Sequence, residues 1–283
     1  MYQPFTHGAA VPPPDGAAKS RLAAMVFEPT RRPERRRSNW PAAAAFLITA
    51  AWFMLVPLLP ITVSSAGGPV SLAFTFGLLS ACVVTTCTRG WQLPVTVLLV
   101  LIAAITTVAV PEDEVGNLAR VLAVTMVGAV VGSRVARLHH AVAMGVAMAA
   151  ADTWSVFSSN GTTRDLVANE SPLLAVLSGR IPVPGLGDGV PIGLVDVAAF
   201  ALFIAVAHRF RLGTSRTVVA LILGLISTGA LLYVLPVPIV PALPPLVVAF
   251  VAVHAMTLWA NRPRADDQTG QVSGSDAPDT AST

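Results

Sequence analysis

Three carboxylates, Asp152, Asp188 and Asp196, stand inside strongly apolar stretches of this chain. An ionisable side chain in hydrocarbon is costly, so each marks a candidate functional position. Asp152 lies in Ala151-Asp152-Thr153-Trp154-Ser155-Val156-Phe157, near the end of one stretch, and Asp188 lies in Gly185-Leu186-Gly187-Asp188, near the start of the next. Each sits about five residues from the end of its stretch, which on a helix corresponds to roughly 7 Å of depth. Antiparallel neighbouring helices would bring the two face to face. Two carboxyls in contact resist double ionisation and share one proton. The charged member can then take a proton from water while the protonated member polarises a carbonyl, which is the chemistry of aspartyl hydrolysis. The glycines beside Asp188 suit close helix packing and an approaching backbone.

The elements that must position these groups follow from composition. The chain has 283 residues, 54% apolar and only 12% charged, with a mean hydropathy of +0.70. A soluble domain carries about a quarter charged residues, so this composition excludes a water-soluble fold and predicts an all-α, polytopic membrane helix bundle. A bilayer core takes about 20 apolar residues per helix. Eight stretches qualify: 41–63, 69–88, 93–110, 118–133, 138–157, 183–207, 217–235 and 239–260. The expected organisation is a disordered basic cytoplasmic tail over 1–40, a transmembrane helical domain over 41–260 and a disordered cytoplasmic tail over 261–283, since neither tail can bury enough apolar surface to order itself. No signal peptide is expected, because the first apolar stretch follows forty polar residues.

Charge sets the orientation. With the Arg-rich tail inside, fifteen of the 18 Lys and Arg residues fall on the cytoplasmic side, and only Arg120, Arg164 and Arg180 fall outside, alongside Glu112, Asp113 and Glu114. The positive-inside rule then places both termini in the cytoplasm of a multi-pass protein, with the plasma membrane the expected location. The basic residues lack aromatic interleaving, so nucleic acid is not an expected partner. Cys82 and Cys87 are five apart and face different ways on a helix, so neither a disulfide nor a metal pair is expected, and no motif calls for a cofactor.

Taken with Pro241-Ala242-Leu243 at the head of the last stretch, the aspartate motifs give the chain a resemblance to the presenilin and signal peptide peptidase family of GxGD intramembrane aspartyl proteases. The resemblance covers roughly 151–245. Asp152, with an aromatic and Val156-Phe157 after it, is similar to the family's YD segment, with Ala151 in place of the Tyr. Gly185 to Asp188 is similar to its GxGD, and Pro241 to Leu243 to its PAL. It implies a presenilin-like bundle in which Asp152 and Asp188 are the catalytic pair, while Gly185, Leu186, Gly187, Pro241, Ala242 and Leu243 contact substrate. The implied activity is cleavage within or beside transmembrane segments of membrane-protein or signal-peptide-like substrates. Type IV prepilin peptidases also use a GxGD aspartate, but the Lys and the Cys-rich segment usual in them are missing here.

The alternatives are a carboxylate-dependent transporter and a catalytically inactive presenilin-like protein, because intramembrane carboxylates by themselves favour no class. Asp196 reads as a structural residue. Counted along two inward-going helices starting near Val183 and Ala242, it reaches about the same depth as His254, so the two are expected to pair. Trp40, Trp91 and Trp259 fall near the ends of stretches and read as interfacial anchors.

Overall fold

The computed structural model describes residues 40–59, 67–109, 114–158, 160–169, 171–234 and 240–260. The expectations for the two tails fall, Trp40 apart, outside these residues. Each of the eight apolar stretches contains one long helix. These are α1 (Trp40–Leu55), α2 (Gly67–Cys87), α3 (Gln92–Ala109), α4 (Glu114–Arg134), α5 (Leu138–Phe157), α8 (Leu194–Arg209), α9 (Thr214–Val234) and α10 (Leu243–Ala260). Between α5 and α8 the chain forms two short helices, α6 (Thr162–Ala168) and α7 (Pro172–Leu177), then strands β1 (Ser178–Val183) and β2 (Leu186–Gly193).

Four helices are long and apolar enough to cross a membrane, over Trp40–Leu58, Gly67–Cys87, Glu114–Arg134 and Thr214–Leu231. Gln92–Thr107 and Leu243–Trp259 are apolar but shorter. The protein is therefore a helical membrane protein, and an all-α description needs one correction. The sixth stretch, 183–207, is not one helix. Its first third carries Pro184, Gly185, Gly187, Gly189 and Pro191, which oppose helix, interleaved with Val183, Val190 and Ile192, which favour strand. That segment pairs antiparallel with β1, with Arg180 opposite Pro191 and Ile181 opposite Val190. The Pro184-Gly185 turn closes the hairpin, and Gly185 has the positive φ of 74° that such a tight reversal requires.

Helix α8 is the centre of the bundle. Val197 and every residue from Ala199 to Ala207 are buried, so the helix is covered on all sides, as an evenly apolar helix must be. Its closest neighbour is α4, whose Gly128 and Gly132 lie against the backbone carbonyls of Ala198 and Leu202. Lacking side chains at these two positions, spaced four apart on one helix face, α4 lets the two backbones touch. Gly145 of α5 similarly faces Phe203 and Val247. Aromatic rings fill the spaces between helices: Phe203 stacks on Phe250 with centroids 4.5 Å apart, and Phe76 meets Phe200 edge-on at 4.5 Å.

The hydroxyls inside the bundle are mostly accounted for locally. Thr49 donates to the Ala45 carbonyl (2.8 Å), Ser80 to Phe76 (2.6 Å) and Thr125 to Val121 (2.7 Å). Each bond runs back one helical turn, which satisfies a polar group where no water is at hand. These residues need no chemical role.

Candidate functional site

Three helix ends meet at one end of the bundle. Asp152 lies five residues before the end of α5, Asp196 in the first turn of α8, and Leu243 opens α10. The Leu243 backbone N–H donates to Asp152 Oδ2 at 3.1 Å, and the Ala242 backbone hydrogen-bonds to the same carboxyl. The local sequence dictates this contact. The first turn of a helix leaves N–H groups without intrahelical acceptors. Pro244 and Pro245 carry no N–H, so the remaining early donors are those of Ala242 and Leu243, and a carboxylate borrowed from α5 serves them.

Asp196 lies within electrostatic range of Asp152. Both are half-buried. Gly193 is the N-cap of α8 and offers no side-chain cap, and the Asp196 carboxyl folds back over it. A Cβ on residue 193 would come within 2.6 Å of Asp196 Oδ2, so a glycine is needed for the carboxyl to rest there. Capping alone would explain Asp152, and a favourable helix N-terminus alone would explain Asp196. Neither explains why two carboxyls from different helices come within electrostatic range of each other in an apolar bundle.

The positions expected from the sequence divide accordingly. Asp152, Ala242 and Leu243 are together. Gly185 lies in the hairpin turn, and Leu186, Gly187 and Asp188 open β2, so Asp188 is not near the start of a helix. The depth comparison that paired it with Asp152 assumed a helix beginning near Val183, whereas α8 begins at Leu194. Asp188 falls where the hairpin register is irregular, between the Val183–Leu186 and Ile181–Val190 pairs. The expected Asp196–His254 pair fails for the same reason. Starting at Leu194, the helix carries Asp196 in its first turn, while His254 Nε2 bonds Thr217 Oγ1 at 2.8 Å beside the start of α9, the helix that follows the far end of α8. Asp196 is two residues into α8 and His254 eleven into α10, so the two are offset by about 14 Å along the bundle.

Two contributors escape a sequence reading. Gly193-Leu194-Val195-Asp196 could have been noticed, because Pro191 and Gly193 just precede an unbroken apolar run, a helix start signal. Asn117 carried no such signal. It is buried on α4, and its carboxamide makes two bonds to one residue of β1: Nδ2 donates to the Arg180 carbonyl at 2.9 Å, and Oδ1 accepts the Arg180 N–H at 2.8 Å. The amide thus occupies the place of a third strand and ties the hairpin that leads into Asp196 to α4. Asn117→Leu should leave both Arg180 backbone groups without these partners, a loss of about 1–3 kcal/mol. Faster amide exchange at Arg180 and a lowered melting temperature would register it, and unchanged exchange there would show the clamp to be unimportant.

An apolar groove of about 730 Å³ runs along α9 and α10 beside this site, lined by Phe157, Gly224, Ser227, Leu231, Pro241 and Pro245 among others. Among the described residues no group of His, Cys, Asp and Glu is placed to hold a metal ion. No protein-family model matches the chain, and no curated protein matches its sequence.

Proposed function

We propose that the protein is an intramembrane aspartyl endopeptidase whose catalytic pair is Asp152 and Asp196. The observation that carries this reading is that two half-buried carboxyls from two helices lie within electrostatic range at one end of the bundle, one of them held by the backbone of the Pro241-Ala242-Leu243 segment. Such a pair supplies a base for water and an acid for the scissile carbonyl within one site. In the GxGD pattern the second aspartate heads a helix and follows a glycine. Asp196 heads a helix but follows Val195, so Gly193-Leu194-Val195-Asp196 keeps only the first glycine of that pattern.

The expected topology is eight spans with both termini in the cytoplasm, which puts the aspartates near the outer surface. A reporter fused after Thr283 should be active only on the cytoplasmic side. Activity outside would invert the topology and the side from which water reaches the pair.

Activity is tested by incubating the purified protein with single-span membrane substrates and reading products by mass spectrometry. A transition-state analogue of aspartyl proteolysis should block cleavage and label the protein, because a carrier has no tetrahedral transition state to mimic. Absence of both products and labelling across a broad substrate panel would defeat the assignment.

A further inference from the structure

The end of the bundle opposite the carboxylates carries a one-sided charge. Here α4 and α8 end, and α5 and α9 begin. Arg134 and Arg137 flank the first connection, and Arg209, Arg211 and Arg216 the second; all five are exposed. An Arg209 guanidinium nitrogen donates to the Ser133 carbonyl, so the two connections lie side by side. Every described Asp and Glu belongs to 114–196, at Glu114, Asp152, Asp165, Asp188 and Asp196, and none occurs over 134–151 or 197–260.

The helix ends do not absorb this charge. Each C-terminus contributes about half a negative charge and each N-terminus about half a positive one, so two of each cancel and leave five arginines. The N-terminus of α5 adds donors of its own, since its N-cap, Arg137, makes no side-chain cap. Arg211 stands at a strained position within this rim. Leu212 N bonds the Ala207 carbonyl at 2.9 Å and Arg211 N the His208 carbonyl at 3.3 Å, which makes Arg211 the left-handed residue closing α8, with φ at 55°. That position favours glycine, and a side chain there is strained. Among the described residues, it is the only non-glycine with positive φ.

We propose that this rim is a docking site for the phosphodiester headgroup of an anionic phospholipid. The depth fits a headgroup: Met256 and Trp259, exposed near the end of α10, reach the same end of the bundle, as residues facing the interface do. Juxtamembrane arginines attract anionic lipid through additive, salt-sensitive terms.

The full-length protein, embedded in nanodiscs of equal phosphatidylcholine and phosphatidylglycerol, should retain phosphatidylglycerol selectively when extracted in mild detergent and read by native mass spectrometry. Arg134→Gln, Arg137→Gln and Arg211→Gln combined should reduce that selectivity on the order of a hundredfold, at about fivefold per charge. Arg211→Gly, which relieves the backbone while removing the charge, should lower retention without lowering the melting temperature. Arg164→Gln, on α6 at the other end, should change nothing. Equal retention of the two lipids by the wild type, or full phosphatidylglycerol retention by the triple variant, would overturn the proposal. These readouts need no proteolytic activity and stand apart from the assignment of the carboxylates.

Discussion

Asp152→Asn and Asp196→Asn should each abolish cleavage, a loss on the order of 10⁴-fold or more, with the double variant little worse than either alone, because residues acting as one unit are not additive. Asp188→Asn should keep most activity. The prediction rests on Asp152 and Asp196 lying within electrostatic range of each other and on the strand position of Asp188. The amide is nearly isosteric with the carboxyl and easier to bury than a charge, so all three variants should fold and purify like the wild type. Activity should have a bell-shaped pH dependence whose two apparent constants belong to the pair. Gly193→Ala should impair cleavage through position alone, since a methyl group there displaces the Asp196 carboxyl. An inactive Asp188→Asn alongside an active Asp196→Asn would reverse the assignment.

The second large effect is on stability. Gly128→Leu and Gly132→Leu should each destabilise the bundle by about 3 kcal/mol, and by more where the backbones cannot separate. At both positions a side chain would collide with the α8 backbone, at Ala198 or Leu202, and a carbonyl in a helix cannot step aside as a flexible side chain does. Gly224→Ala offers the contrast: its added methyl would meet the Pro245 carbonyl at 3.0 Å and the Ala249 Cβ at 3.3 Å, a tight but adjustable fit. The melting temperature in detergent should fall steeply for the first two and slightly for the third. Because α8 carries Asp196, the first two should also lose activity below their melting temperatures. Wild-type melting by Gly128→Leu would mean that α4 and α8 are not held by this contact.

The groove along α9 and α10 is lined in part by Pro241, one residue before the Ala242 backbone that contacts Asp152.

The sequence by itself determined that the chain folds as apolar helices, which stretches supply them, and that intramembrane carboxylates are the groups to watch. These are local quantities. Hydropathy over about twenty residues is written along the chain, and so is the expense of an aspartate within it. It also marked Pro241-Ala242-Leu243, whose following prolines leave a helix start in need of an acceptor. Tertiary structure decided which carboxyls meet. The stretch 183–207 has one hydropathy but two structures, because 186–193 finds a strand partner in 178–183, and that partner is itself clamped by Asn117 across 63 residues of chain. A hairpin there shifts the start of α8 from Val183 to Leu194 and exchanges the structural positions of two aspartates eight residues apart. That shift moves Asp188 onto a strand, brings Asp196 beside Asp152 and sends His254 to the far end of the bundle. No periodicity within the stretch carries that information, since pairing energy belongs to two segments at once and is invisible in either alone.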